Sequence, residues 1–137
     1  MPKKSRRFET TVPEADISIP VFETGGYVRL SVDKDDRKSE SIENQKQVIE
    51  DYIQKHNDNP DRKFIIKLAG FYEDKGLSGT DFDRAAFEEL MHDARSGKIN
   101  CIIVKDFSRF GRDFLDGCNY IENILPFLDI RFIAISD

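Results

Sequence analysis

Residues 100–105 read Asn-Cys-Ile-Ile-Val-Lys, a short β-branched run that is typical of a β-strand. Amphipathic stretches that favour helices lie on either side of it, at residues 84–96 and from 113 to about 127. Further out the alternation continues, with strand-like segments at 26–32, 64–72 and 130–135 and a helix-like segment at 41–55. This βαβαβαβ order with short connections predicts an α/β fold of three layers, αβα, with a mostly parallel central sheet covered on both faces.

The size and charge of the chain limit what it can be. Its 137 residues, 39% of them hydrophobic, are enough for one compact core and too few for two ordinary domains. Lys and Arg total 21 against 26 Asp and Glu, and the net charge of -5 argues against strong binding to bare duplex DNA, so any basic site has to be local. Because the sequence has no apolar run of about eighteen residues, we expect no membrane span and no secretory signal, and a soluble, cytoplasmic protein.

Cysteine and histidine are too scattered for a metal site or a disulfide framework. Cys101 and Cys118 have no second pair, and His56 and His92 have no partner at metal-ligand spacing. We therefore expect these side chains to be structural or solvent-facing, and we expect no metal.

The first 23 residues lack any sustained periodicity. They contain four basic residues between positions 3 and 7, followed by two prolines, and this pattern predicts a flexible N-terminal arm at 1–23 before a domain at 24–137. Order is expected to begin near Gly25. The basic cluster could touch phosphate, but a solvated arm is the favoured interpretation.

The second predicted helix has a well-marked beginning. Asp83 is placed to cap it, and Phe82 and Phe87 are spaced as a hydrophobic staple. Arg84 then falls in the first turn, where its positive charge opposes the helix dipole. Either an anion binds near Arg84, or its side chain pairs with Glu88 one turn later, and the spacing leaves both open.

Gln45 lies on the apolar face of the first predicted helix, one turn after Ile42. A buried Gln needs hydrogen-bond partners. Near the helix N-terminus it would face the carboxyl end of the preceding strand, where open α/β sheets place their ligand crevices. The alternative is a Gln at the margin of this face that reaches solvent.

Polar side chains that could take part in catalysis or binding follow three of the predicted strands. We expect them to lie close together at one edge of the sheet. They are Arg29, Ser31, Asp74, Ser78, Ser108, Arg109 and Arg112. The set has a hydroxyl and several guanidinium groups but no histidine and no metal-ligand cluster, so acyl transfer by a Ser-His-Asp triad and metal-assisted hydrolysis both lack parts. Phosphoryl transfer fits better, because Arg forks bind the charged oxygens of a phosphorus transition state that a Ser oxygen could attack in line. The sequence has no phosphate-binding loop or dinucleotide-binding glycine turn, which argues against a nucleotide cofactor.

Four motifs, taken in order, resemble the catalytic domain of serine recombinases, the family of resolvases, invertases and large serine integrases and transposases. The second motif, and Ser108 before Arg109, look most like the large branch, and the resemblance covers residues 26–137. The motifs are Tyr27-Val28-Arg29-Leu30-Ser31, Glu40-Ser41-Ile42-Glu43-Asn44-Gln45, Asp74-Lys75-Gly76-Leu77-Ser78-Gly79-Thr80 with Arg84, and Lys105-Asp106-Phe107-Ser108-Arg109-Phe110-Gly111-Arg112.

The resemblance implies a site-specific DNA recombinase whose nucleophile is Ser31. The serine attacks the scissile DNA phosphate, forms a 5′-phosphoserine link and frees a 3′-hydroxyl, with no ATP or other cofactor. The partners implied are DNA and further copies of the same protein, as a dimer that pairs into a tetramer. The family's active-site residues fall on Arg29, Gln45, Arg84, Arg109 and Arg112.

Some roles stay open at this point. Asp74 either orients an arginine or caps a turn, Ser78 and Ser108 are weaker candidates for phosphate contact, and the group that takes the Ser31 proton is unassigned. The chain stops after its fourth strand-like run, without the long helix and DNA-binding domains of the family, so we expect this piece to be inactive alone. Position 85 is Ala where many large members have Pro. The alternative functions are a non-catalytic phosphate- or nucleotide-binding module and an oligomerisation domain.

Overall fold

A computed structural model describes residues 19–31, 41–76, 84–106 and 114–136, with positions 30–31, 75–76 and 114–115 described by their backbone alone. The strands are β1 (Val21–Ser31), β2 (Ile65–Gly76), β3 (Cys101–Val104) and β4 (Arg131–Ala134). The helices are α1 (Ile42–Asp58), α2 (Ala85–Arg95) and α3 (Phe114–Asn119), which continues as a π-helical turn (Tyr120–Ile124) and then as α4 (Leu125–Phe127). No helix in these ranges is long and apolar enough to cross a lipid bilayer.

The strands form a single parallel sheet in the order β2-β1-β3-β4. Side chains alternate between its two faces, so Tyr27 and Ile102 pack in the cluster that contains α2, whereas Val28 and Ile103 pack with Ile49 of α1. A parallel sheet covered on both faces by helices is the predicted three-layer α/β architecture, and this prediction is confirmed.

Close packing of α2 on the sheet depends on Gly25 of β1. A Cβ at this position would lie 2.8 Å from Leu90 Cδ1 and 2.9 Å from Tyr72 Cε1, both closer than van der Waals contact allows. The glycine therefore brings α2 near β1, with Leu90 fully buried between them.

Strand β1 begins at Val21, inside the segment expected to be a flexible arm, so the expectation that order starts near Gly25 is wrong. Val21 pairs with Ile65 of β2, and the Pro20 carbonyl accepts a 2.8 Å hydrogen bond from the Ile65 amide. Proline has no N–H to donate to a neighbouring strand, but just before a strand none is needed, so Pro20 is compatible with a strand that begins at Val21. Residues 1–18 of the predicted arm lie outside the described part of the chain.

Strand β2 also runs further than predicted, to Gly76 rather than Tyr72. Its polar end, which includes Glu73 and Asp74, has no apolar pattern, but it continues the backbone pairing with β1 as far as Ser31 opposite Gly76. Partner strands thus decide the length of β2 beyond the point where its own side chains indicate a strand.

Candidate active site at the carboxyl edge of the sheet

The strand order makes β1 and β3 neighbours at a topological switch point, where β1 pairs with β3 over Thr24–Gly26 and then runs on beside β2 to Ser31. From β1 the chain crosses to β2 on one side, and it then returns past β1 to β3 on the other. In open α/β sheets ligands bind in the crevice formed where the strand order reverses in this way. Ser31 is the last residue of β1, and Arg29 lies two residues before it in the same strand.

Gln45 of α1 fixes the backbone of β1 just before Ser31. Its side chain is fully buried, its Oε1 accepts from the Arg29 amide at 3.3 Å, and its Nε2 donates to the Arg29 carbonyl at 3.0 Å. Of the two alternatives left open for Gln45, the structure shows the buried amide with partners at both ends and not the solvent-reaching one. Ser41 caps the same helix by accepting from the Asn44 amide at 3.0 Å, which stabilises the first turn of α1.

Asp74, near the end of β2, joins three elements through one buried carboxylate. Its side chain accepts hydrogen bonds from the Tyr27 hydroxyl at 2.7 Å, the Ala86 amide at 2.8 Å and the Phe87 amide at 3.0 Å. The two amides belong to the first turn of α2, so a negative charge meets the positive end of the helix dipole. Of the two roles left open for Asp74, the described contacts are those of a cap.

This arrangement corrects the prediction that Asp83 caps α2. The residue at the cap position is Arg84, whose own side chain makes no capping hydrogen bond, and Asp83 lies outside the described residues, as does Phe82 of the predicted staple. The sequence suggested a local cap because side chains next to a helix start commonly supply one. In the fold, a carboxylate ten residues earlier in the chain performs that function.

Sequence reasoning missed Tyr27. The signal available was a tyrosine among apolar residues of a buried strand, since a buried hydroxyl usually needs an acceptor. Burial, followed by the hydrogen bond to the Asp74 carboxylate, raises the pKa of Tyr27 well above its ordinary value, while the charges of Arg29 and Arg84 act in the opposite direction. Two of the predicted site arginines therefore lie close enough to influence the same hydroxyl.

Arg84 packs inward at the beginning of α2. Its Nη1 lies 3.4 Å from Asp116 Oδ2, its guanidinium carbon lies 4.0 Å from the centre of the Phe87 ring, and its side chain is only 12% exposed. The ion pair described for Arg84 is with Asp116 and not with Glu88. Glu88 contacts Arg84 through a helical hydrogen bond, in which the Glu88 amide donates to the Arg84 carbonyl. Of the two alternatives left open for Arg84, pairing with Glu88 is not the one observed, because α3 supplies the counter-charge from a distant part of the sequence.

Several predicted site groups lie outside the described residues. They are the Ser31 side chain, Ser78, Ser108, Arg109 and Arg112. Among the predicted residues that the structure does describe, Gln45 contacts the main chain of Arg29, Asp74 contacts the first turn of α2, and Arg84 immediately precedes that turn. Within the described ranges no group of three or more His, Cys, Asp or Glu side chains is arranged to hold a metal ion.

The fold and the position of this edge define a parallel three-layer α/β domain with its candidate site at the switch point. Residues 24–137 match the family described as Resolvase, N terminal domain. The chain belongs to this family, and its membership supports site-specific recombination as its general function. No curated protein matches the chain.

Solved structures agree with this assignment. A resolvase family site-specific recombinase from Streptococcus pneumoniae is 25% identical and superposes with a TM-score of 0.66, covering 85% of this chain and 73% of that one. The N-terminal catalytic domain of TP901-1 integrase is 20% identical, with a TM-score of 0.67 and coverage of 83% and 78%. The C-terminal catalytic domain of ISC1926 TnpA, an IS607-like serine recombinase, is 14% identical, with a TM-score of 0.59 and coverage of 82% and 70%, and these last two likenesses concern the fold alone.

Proposed function

We propose that this chain is the catalytic domain of a serine-type site-specific DNA recombinase and that Ser31 is its nucleophile. The Ser31 oxygen attacks the phosphorus of the scissile phosphodiester, and the new serine-phosphorus ester forms as the bond from phosphorus to the 3′-oxygen breaks. The hydroxyl proton of Ser31 is given up, and the 3′-oxygen leaves as a hydroxyl after it takes a proton. After strand exchange a 3′-hydroxyl attacks the phosphoserine and releases Ser31, so the ester conserves the energy of the broken bond and no external cofactor is consumed.

The observation that carries this proposal is the family match over residues 24–137 together with the position of Ser31 at the end of β1, the strand from which the chain crosses to both sides of the sheet. A serine at a strand end is by itself a common structural feature. In a member of the resolvase family, at the edge where α/β sheets bind ligands, it is the natural candidate for covalent chemistry.

The arginines supply what this chemistry needs. An in-line displacement at phosphorus concentrates negative charge on the phosphoryl oxygens, and guanidinium groups bind such oxygens in pairs. We assign this role to Arg29, Arg84, Arg109 and Arg112, with Ser78 and Ser108 as weaker phosphate contacts. An arginine stays protonated at neutral pH, so these groups favour the serine alkoxide electrostatically rather than accept its proton.

Gln45 and Asp74 act in this proposal by holding other groups. The two hydrogen bonds of Gln45 fix the Arg29 main chain, and Ser31 lies only two residues further along β1. Asp74 fixes the first turn of α2, immediately after Arg84. Catalysis by placement of reacting groups is sensitive to small displacements, so both residues support the reaction without contacting phosphorus.

We further propose that DNA and other copies of the protein are the partners. Recombination between two duplex sites breaks four strands, and one nucleophile for each strand corresponds to a dimer at each site that pairs into a tetramer. The net charge of -5 predicts that this chain alone binds DNA weakly and with strong salt dependence.

The test uses the natural full-length protein and a cognate duplex that it selects from a randomised DNA library. Incubation followed by denaturing electrophoresis detects covalent protein–DNA adducts and cut strands. Ser31→Ala is expected to abolish both while specific DNA binding is kept, and Ser96→Ala, at the C-terminus of α2, is the matched control expected to cut normally. Cleavage that persists in Ser31→Ala would rule out the proposed nucleophile.

A further inference from the structure

The ion pair between Arg84 and Asp116 joins two stretches of chain that follow different strands. Arg84 ends the segment after β2 and leads into α2, and Asp116 lies in the first turn of α3, the helix that follows β3. These residues are 32 positions apart in sequence, yet Arg84 Nη1 and Asp116 Oδ2 are separated by 3.4 Å.

The Arg84 guanidinium also has an ordered aromatic platform. It lies 4.0 Å above the Phe87 ring, and this ring makes edge contacts with Tyr27 of β1 at 5.5 Å and with Tyr120 of the π-helical turn at 5.1 Å. Cation–π contact is stronger when the cation is removed from water, as it is for a side chain that is 12% exposed. Arg84 is therefore held on its face by Phe87 and at its edge by Asp116.

A cation at this position needs such support. The N-terminus of α2 carries a partial positive charge from the helix dipole, which disfavours a guanidinium beside it. The carboxylate of Asp74 binds the helix amides, whereas that of Asp116 is the one paired with the Arg84 side chain. The two carboxylates thus have different contacts, and Asp116 forms an ion pair with the arginine.

We propose that Asp116 is a positioning residue for the recombination reaction, one that fixes the Arg84 guanidinium at the beginning of α2. This inference rests on the proposed function, because that function assigns phosphate binding to Arg84. Asp116 itself contacts no substrate and acts through Arg84.

A double-mutant cycle in the covalent-adduct assay tests this role. The rate of adduct formation is measured at saturating cognate DNA for Asp116→Asn, Arg84→Ala and the double variant. Asp116→Asn is expected to slow adduct formation by about 10- to 100-fold, as a displaced reacting group does, while DNA affinity changes little. The double variant is expected to be no slower than Arg84→Ala, because Asp116 has nothing left to position.

Glu122→Gln is the matched control, since it removes one carboxylate from the π-helical turn that follows α3, at an exposed position. It is expected to leave the rate unchanged. Urea unfolding of each variant identifies any that is not folded, and Asp116→Glu, which keeps the charge, serves as the second variant and is expected to be several-fold faster than Asp116→Asn.

The outcomes separate this inference from the function on which it rests. The positioning role would be overturned if Asp116→Asn left the rate of adduct formation unchanged or increased it. It would also be overturned if Asp116→Asn slowed Arg84→Ala as much as it slows the natural protein, or if the Asn and Glu variants had equal rates. If instead Ser31→Ala still forms adducts, the proposed function itself has failed, whatever the Asp116 variants do.

Discussion

Asp74→Ala is expected to destabilise the domain by roughly 2–5 kcal/mol. The two amides of α2 that lose their acceptor amount to a lost helix cap, which costs about 1–2 kcal/mol. Tyr27 is only 1% exposed, and its hydroxyl loses the carboxylate acceptor that lies 2.7 Å away. A buried polar group without a hydrogen-bond partner costs about 1–3 kcal/mol. The combined loss is a large share of the stability of a small domain.

The measurement is urea unfolding followed by circular dichroism at pH 7, with the free energy of unfolding extrapolated to water. Tyr27→Phe separates the two contributions, since it removes the hydroxyl and leaves the helix cap in place, and it should cost about 0.5–1.5 kcal/mol. Asp51→Ala is the control, because this carboxylate is exposed on α1 and its partner Gln47 remains solvated, so its effect should stay within about 0.5 kcal/mol.

A loss below about 1 kcal/mol for Asp74→Ala would refute this reasoning. It would mean that the α2 amides and the Tyr27 hydroxyl find other acceptors at little cost, and that Asp74 does not join β1, β2 and α2. A change in the slope of the unfolding free energy against urea concentration would instead indicate an altered unfolded or native state. The slope measured for Tyr27→Phe serves as the comparison.

Three further perturbations test other parts of the fold. Gln45→Ala removes both hydrogen bonds to the β1 main chain and should cost about 2–4 kcal/mol in urea unfolding, and a loss under 1 kcal/mol would show that this buried amide is dispensable. Burial raises the pKa of Cys101 from 9.0 to about 11, so the folded state favours the neutral thiol, and the stability this confers is complete below pH 9 and is lost as pH rises to 11. Cys101→Ala should therefore lose less stability than the natural protein between pH 8 and pH 10.5, and equal losses would contradict the assignment. Gly25→Ala places a Cβ 2.8 Å from Leu90 Cδ1 and should cost about 1–3 kcal/mol, whereas Gly70→Ala, with no atom within 4 Å of its added Cβ, should be nearly neutral; equal costs would show that the packing is not tight.

Much of the architecture could be predicted because it depends on local pattern. The β-branched run at β3 and the apolar periodicity of α1 and α2 indicate their own structures, and alternation of strands and helices leads to a parallel sheet. The ends of β1 and β2 could not be predicted this way. Val21 and Glu73 lie in strands because a neighbouring strand offers hydrogen bonds, which is information that neither segment carries alone.

The candidate site likewise contains features that the local sequence indicates and features that depend on distant residues. The position of Gln45 on an apolar helix face is visible in sequence, and it left two alternatives open, a buried amide with partners and one that reaches solvent. For Asp74 the sequence left a cap and an arginine-orienting role both open, and it did not indicate that the capped element is α2. The pairing of Arg84 with Asp116 was not predicted, because it joins residues 32 positions apart that only the folded chain brings together. Ser31 was one of several candidates from its position after a predicted strand, and its role as the nucleophile came from resemblance to a family.

The central claim is that Ser31 forms an ester with DNA, and its most direct test is the site of covalent attachment. Trypsin cleaves after Arg29 and Lys34, which isolates Leu-Ser-Val-Asp-Lys, a peptide with Ser31 as its single hydroxyl residue. After nuclease digestion of the adduct formed by the full-length protein, mass spectrometry should find this peptide carrying a 5′-phosphonucleotide on Ser31. A nucleotide on any other residue, or an unmodified Leu30–Lys34 peptide from the purified adduct, would contradict the account.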